Sequence, residues 1–124
     1  MKFFRQAEPG IFHAIGALET EQDGIDWTTE YEMLLAQGRP FVVIVDVADR
    51  PPLPPAGKPM VLWLKARKAE LGRLVKLTLY VVENAAERTQ MQRTLPGRAK
   101  ASPYPMALAA SDAEAIAMAR ATLG

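Results

Sequence analysis

Two neighbouring carboxylates are the first groups in this chain whose types and spacing could do chemistry. Asp46 and Asp49 follow the apolar run FVVIV at 41–45. Such a pair can bind a divalent metal or act as general acid and general base. A metal site would also need a third and a fourth oxygen ligand. A phosphotransferase would need a second aspartate two residues after the first, whereas the spacing here is three and no Thr, Lys or Gly-rich partner stands beside the pair. We therefore interpret Asp46 as a structural hydrogen-bonding group and Asp49 as the start of a turn, and we predict no cofactor.

The histidine, serine and cysteine content argues against nucleophilic catalysis. His13 is the only histidine, and Ser102 and Ser111 are the only serines. With Glu114, Ser111 has the pattern of a helix capping box, so its hydroxyl already has a structural role. A Ser-His-Asp hydrolase is therefore not expected. The chain has no cysteine, which excludes disulfides, thiolate metal sites and cysteine nucleophiles.

Gly57 and Lys58 resemble the end of a phosphate-binding loop but do not complete one. The spaced first glycine and the following serine or threonine are absent, and Pro55 and Pro59 flank the pair. Proline has no backbone N–H, so these positions cannot help to cradle a phosphate. The sequence therefore does not predict nucleotide binding.

The segment from Phe41 to Pro59 is the centre around which we expect the fold to form. Residues 41–47 are apolar without alternation, which is typical of a strand covered on both faces. Five of the ten prolines follow at 49–59, in a predicted loop at the carboxyl end of that strand, where open α/β sheets usually bind ligands. We predict a partner or ligand surface there, formed by Asp46, Asp49, Leu53, Lys58, Met60 and Trp63. The alternative for Met60 and Trp63 is packing in the core, because the start of the next helix is apolar on every side.

The rest of the sequence predicts alternating strands and helices. We expect, in order, a β-hairpin around Pro9 and Gly10, a polar loop at 19–24, a helix at 26–37 ended by Gly38, a strand at 41–47, a helix opened by Pro59 and a strand at 74–82. After these we expect a helix from 84 that Pro96 and Gly97 stop near residue 95, a strand at 104–109 that Pro105 places at the sheet edge, and a helix capped by Ser111 that buries residues 113, 116, 117 and 123. This order is typical of an α/β fold with a mixed, mostly parallel sheet and packed helices. Its length predicts a single domain over 1–124.

Charges are segregated along the chain although the formal net charge is only +1. Residues 1–49 hold nine acids and three bases, and residues 50–100 hold eleven bases and three acids. Such asymmetry can indicate an anion-binding face or self-complementary association, or it can cancel between neighbouring elements in the fold. The basic residues lack interleaved aromatic side chains and a nucleic-acid-binding motif, so no nucleic-acid partner is expected. No segment has the pattern of a signal peptide or a membrane span, so we expect a cytoplasmic protein.

At this level the chain resembles the STAS-like fold (sulphate transporter and anti-sigma factor antagonist), in particular its small bacterial SpoIIAA-like branch. The segments that carry the resemblance are the N-terminal hairpin with IGAL at 15–18, the helix with Tyr31, FVVIVD at 41–46, LTLYVV at 77–82, and the late strand that leads into SDAEA at 111–115. The resemblance implies a non-enzymatic regulatory or protein-binding domain. In that family a phosphorylated serine follows the central strand, whereas this chain has no serine or threonine between Asp46 and Met60.

Three functional hypotheses follow. The first is a protein-interaction or regulatory domain of STAS-like type that binds an unidentified protein partner, or a second copy of itself as a homodimer. Its contact surface would be the 50–59 loop and the start of the next helix. The second is a protein that binds a small apolar ligand or lipid beneath that loop. The third is a metal-dependent enzyme that uses Asp46 and Asp49.

Overall fold

The computed structural model describes residues 1–47 and 51–124, and these residues form five strands and five helices. Their bounds are β1 Phe4–Glu8, β2 Ile11–Ala14, α1 Glu21–Ala36, β3 Phe41–Asp46, α2 Pro54–Ala66, α3 Lys68–Leu74, β4 Val75–Val81, α4 Ala85–Ala101, β5 Met106–Ala109 and α5 Asp112–Leu123.

The described strands form a five-stranded mixed sheet in the order β1-β2-β3-β4-β5. β1 is antiparallel to β2, and β2 to β5 run parallel to one another. Gly10 adopts a φ of 80° in the hairpin turn, a conformation that glycine tolerates without steric cost. The predicted α/β class, the N-terminal hairpin and the mostly parallel sheet are confirmed. β5 lies at the sheet edge, as Pro105 indicated.

The two faces of the sheet are covered by different helices. On one face, the side chains of Phe41 and Val43 join an aromatic core with buried residues of α1, α2 and α3. On the other face, Val42 and Ile44 pack with small residues of α5, among them Ala115 and Ala119. Because strand side chains alternate between faces, burial on both sides explains why β3 is apolar at consecutive positions.

Helix α1 begins five residues earlier than the sequence predicted. We expected a polar loop at 19–24 and a helix from Asp26, but Thr20 caps a helix that starts at Glu21. The Thr20 hydroxyl accepts a hydrogen bond from the backbone N–H of Asp23, whose carboxylate accepts from the backbone N–H of Thr20. This reciprocal capping box offsets the low helix propensity of Gly24. The helix ends before Gly38, as predicted.

Helix α2 begins at Pro54, not at the predicted Pro59, so half of the predicted proline loop is helical. Pro54 and Pro55 occupy the first turn, where the missing N–H groups have no intrahelical partner to lose. Pro59 then lies inside the helix. Because a short break at Arg67 separates α2 from α3, the single predicted helix is two.

Two further helices differ in extent or phase. α4 continues through Pro96 to Ala101, although Pro96 and Gly97 were predicted to stop it near Leu95. α5 is capped by Ser111 as predicted, with the Ser111 hydroxyl accepting from the backbone N–H of Glu114. Its inward face is centred on residues 115 and 119, so the predicted burial of 113 and 117 is wrong.

Gly24 is the point of closest approach between α1 and α2. A methyl group on its Cα would overlap with the backbone oxygen of Ala56 and lie 2.7 Å from Cγ of Pro59. We expect Gly24→Ala to lower the free energy of unfolding by about 2 kcal/mol, because overpacking outweighs the helix-propensity gain of about 1 kcal/mol. Chemical denaturation measures this change.

The matched control is Gly97→Ala in α4, where the added methyl group meets no atom within 4 Å. That variant should be as stable as the natural chain or gain up to about 1 kcal/mol. A Gly24→Ala protein as stable as Gly97→Ala would contradict the close helix contact.

Candidate functional site

The predicted carboxylate pair lies partly outside the described residues. Asp46 is half-buried at the end of β3, opposite Val81 of β4, and strand alternation places it on the α5 side with Val42 and Ile44. Asp49 lies outside the described residues, so its role with Asp46 stays a prediction. His13, on the neighbouring strand β2, pairs in register with Ile44 and therefore shares a face with Asp46. Across residues 1–47 and 51–124 no group of three or more acidic or histidine side chains could hold a metal ion.

Met60 and Trp63 point inward from α2. Met60 is buried in the aromatic core, and the ring of Trp63 lies 5.0 Å from that of Tyr31 and 5.7 Å from that of Trp27, centroid to centroid. Such tilted and edge-to-face contacts add to the free energy gained by burying the rings. Met60 therefore lies in the core and the partly buried Trp63 packs against it, which is the alternative left open for these two residues.

Glu32 fixes the orientation of Trp63. One carboxylate oxygen of Glu32 accepts hydrogen bonds from the indole Nε1 of Trp63, at 2.9 Å, and from Nε of Arg67, at 2.7 Å. The arginine charge compensates the carboxylate, so the oxygen can satisfy the indole N–H at the rim of the core. Through this contact α1 holds the inward face of α2.

All three tyrosines of the chain have a raised pKa. Burial raises the pKa of Tyr31 well above its usual range, and its hydroxyl has no hydrogen-bond partner among the described residues. Burial also raises the pKa of Tyr104, and the neighbouring Tyr80 adds to that shift. For Tyr80, burial raises the pKa while the positive charge of Arg98 opposes the change. Such groups stay protonated at neutral pH.

The outer face of α2 carries the large apolar side chains that the core leaves out. Leu53, at the N-cap, is 44% exposed, and Val61 and Leu62 are 49% and 60% exposed. Lys58 and Lys65 are also exposed and stand three or four residues from both Val61 and Leu62. At helical spacing the two lysines therefore bracket the apolar pair on one face. We call Leu53, Lys58, Val61, Leu62 and Lys65 the α2 outer face.

Only part of the α2 outer face was predicted. Leu53 and Lys58 were named as candidate surface residues, whereas Val61 and Leu62 were missed. The run MVLWL at 60–64 is apolar around the whole helix, so periodicity did not show which side faces solvent. The usable signal was the lysine spacing, since Lys58 and Lys65 mark the solvent side.

A second surface feature is a cleft of about 450 Å³ between α4, β5 and α5. It is lined by Arg88, Thr89, Gln92, Arg93, Leu108 and Glu114. The guanidinium of Arg88 donates to the backbone oxygens of Val82 and Glu83 at 2.9 and 3.3 Å, so it holds α4 at the end of β4. Glu114 also lines this cleft, and its negative charge offsets part of the positive charge of the two arginines. We assign no ligand to the cleft.

The fold and the α2 outer face together define the chain as an α/β domain with one exposed helix face that is apolar and positively charged. No described helix combines the length and the apolar character that a membrane crossing requires. Comparison with protein-family models, with curated proteins and with solved structures finds no match for this chain.

Proposed function

We propose that this protein is a non-enzymatic protein-interaction or regulatory domain that binds its partner through the α2 outer face. One observation carries the proposal: Val61 and Leu62 are 49% and 60% exposed on α2, and Leu53 is 44% exposed at its N-cap, while the opposite side of the helix packs against the core. Covering apolar surface gains about 25 cal/mol per Å². An apolar centre bracketed by charged groups is also the usual anatomy of a protein interface.

The STAS-like resemblance supports the proposal without adding a phosphorylation switch. A hairpin followed by alternating helices and strands has the element order of that fold, and we propose STAS-like membership on this basis. The serine that follows the central strand in anti-sigma antagonists has no counterpart between Asp46 and Met60. We therefore propose that binding is regulated by the availability of the partner or by another signal, and not by phosphorylation at that position.

The alternative function, binding of a small apolar ligand or lipid, has a different structural requirement. Its pocket would open beneath residues 50–59, and Arg50 lies outside the described residues. In the described part of that segment Ala56 is buried against α1, and the residue that follows the segment, Met60, lies in the aromatic core. The α2 outer face therefore supports protein binding better than this segment supports ligand binding.

Photo-crosslinking in the native cell tests the proposal. A photoreactive phenylalanine analogue at position 62 should give discrete protein adducts on irradiation, because this side chain lies at the centre of the α2 outer face. The matched control is the same analogue at Ala121, an exposed residue of α5 on the other side of the sheet. The adducts should disappear when Lys58 and Lys65 are both changed to glutamate.

Two results would overturn the interaction function. One is an absence of protein adducts at position 62 in cells where the variant is folded and abundant. The other is an equal set of adducts at positions 62 and 121, which would indicate nonspecific contact. Mass spectrometry of the adducts identifies the partner.

A further inference from the structure

We propose that the partner covering the α2 outer face is a second copy of this chain, which places its helix α1 on α2 in a two-fold symmetric dimer. This inference rests on the proposed function, because it uses the same surface. Two observations support it: α1 and α2 carry opposite charges, and contacts within one chain fix their relative position along the helix axes.

Helices α1 and α2 carry opposite charges on one side of the sheet. Within its bounds α1 has five acidic residues and no basic one, while α2 has two lysines and no acidic one. Some of the acids are already used: Asp23 caps the helix, and Glu30 accepts from the backbone N–H groups of Lys2 and Phe3. Asp26 lies 3.9 Å from the exposed Lys2 ammonium, and Glu32 is paired with Arg67. Five acids against these two bases still leave α1 with an excess of negative charge.

Contacts within one chain fix how far α1 and α2 are shifted relative to each other along their axes. We call residues at the same height along these axes level with each other. At one end Gly24 touches Ala56 and Pro59, and at the other end Glu32 binds Trp63 and Arg67. The helices therefore run side by side in the same direction, with residue 24 level with 56–59 and residue 32 level with 63–67. By interpolation, Lys58 is level with residues 24–26 of α1, and Lys65 is level with residues 31–33.

The exposed apolar residues of α1 complement those of α2 at this level. Ile25 and Met33 are 39% and 56% exposed and stand eight residues apart, about 12 Å along the helix. Val61 and Leu62 are level with the midpoint between them. A two-fold axis parallel to the helices keeps these levels and lays α1 of one copy over α2 of the other. Val61 and Leu62 then lie between Ile25 and Met33 of the second copy.

Charge selects this arrangement over the other face-to-face dimer. With the axis parallel to the helices, Lys58 approaches Asp26 of the second copy. Lys65 approaches Glu32, whose charge Arg67 already compensates, so the contact between Lys58 and Asp26 carries the charge match. An axis across the helices would instead lay α2 over α2 and α1 over α1, which brings lysine to lysine and acid to acid. Like-charge contacts across an interface cost several kcal/mol, so the parallel axis is favoured.

The size of the surface predicts a reversible dimer. Helices of these lengths span about 24 Å and about 20 Å at 1.5 Å per residue, and two packed helices are about 20 Å wide. Each copy therefore offers on the order of 450 Å². The total, about 900 Å², lies below the roughly 1,200 Å² of stable interfaces and in the range of weak, transient ones. We therefore expect association that depends on concentration and weakens with salt.

A charge-swap experiment tests this dimer. Variant one carries Lys58→Glu and variant two carries Asp26→Lys, and the two-fold axis gives the dimer two copies of the contact between these positions. Each variant alone places like charges across both contacts of the dimer and should dissociate more than about tenfold more readily than the natural chain. A mixture restores opposite charges at both contacts, so native mass spectrometry should show the mixed dimer in excess over either homodimer. Circular dichroism and melting temperature confirm that each variant is folded.

Analytical ultracentrifugation of the natural chain keeps the test independent of the variants. A reversible monomer–dimer equilibrium that shifts toward monomer at high salt supports the dimer. A monomer at every concentration overturns it, and so does a dimer that both charge variants retain. An adduct of position 62 with a different protein would overturn the self-association while supporting the proposed function, so the two failures are distinguishable.

Discussion

Replacing Trp63 with alanine is expected to lower the free energy of unfolding by about 3 kcal/mol. The ring lies against Tyr31 and Trp27, and its indole N–H donates to Glu32. Removing a core tryptophan side chain costs about 3–5 kcal/mol, and the partial exposure of this ring places the expected cost at the lower end. The loss also leaves an oxygen of Glu32 with one donor fewer at the rim of the core. Urea denaturation followed by circular dichroism measures the change.

The adjacent residue supplies the matched control. Leu62 is 60% exposed on the opposite side of the same helix. In the monomer Leu62→Ala should change the free energy of unfolding by less than about 0.5 kcal/mol. Comparison of the two variants distinguishes an effect on folding from an effect on binding. Leu62→Ala should weaken association, whereas Trp63→Ala should lower the free energy of unfolding. Equal stability losses for the two variants would show that the inward and outward sides of α2 are assigned wrongly.

Stability is expected to fall steeply as the pH rises above about 10, the usual pKa of tyrosine in an unfolded chain. Burial raises the pKa of Tyr31 and of Tyr104 in the folded protein. Below the unfolded pKa both states keep the phenolic protons, so the stability is fully present. Above it, the unfolded chain releases protons that the folded chain retains. Each buried tyrosine then costs about 1.4 kcal/mol per pH unit, or about 3 kcal/mol per unit for the two.

Urea denaturation at a series of alkaline pH values measures that slope, and tyrosinate absorbance reports when the phenols ionise. Absorbance and circular dichroism should change together, because these phenols ionise when the chain unfolds. Tyr31→Phe is the control and should reduce the slope by about half. At neutral pH it should be no less stable than the natural chain, since it removes a buried hydroxyl that lacks a partner among the described residues. Tyrosinate formation near pH 10 by all three phenols in a still folded protein would contradict the burial of Tyr31 and Tyr104.

Features that depend on interactions between close neighbours were predictable from the sequence. The Asn84 side chain accepts from the backbone N–H of Glu87, and Ser111 caps α5 in the same way. Such caps involve residues three apart, so a short stretch of sequence contains the whole interaction. The strand at 41–46 was predictable for a similar reason, because a strand covered on both faces must be apolar at consecutive positions.

Local signals failed where a distant contact decides the outcome. Gly24 and its acidic neighbours have the composition of a loop, yet Gly24 is the position where Ala56 and Pro59 of α2 pack against α1. The advantage of a glycine there exists only once the second helix is in place. Similarly, the prolines at 54 and 55 have the composition of a loop but fit the first turn of a helix.

By itself the sequence determined the α/β alternation, the hairpin and the caps of α4 and α5, because each of these follows from residue types within a few positions. The tertiary structure alone decided which side of α2 faces the core. Glu32 selects Trp63 from 31 residues away, and Glu8 pairs with Arg120 from 112 residues away. No periodicity within the uniformly apolar run at 60–64 contains that information. For this reason the predicted surface included Met60 and Trp63, whereas the exposed apolar residues of α2 are Val61 and Leu62.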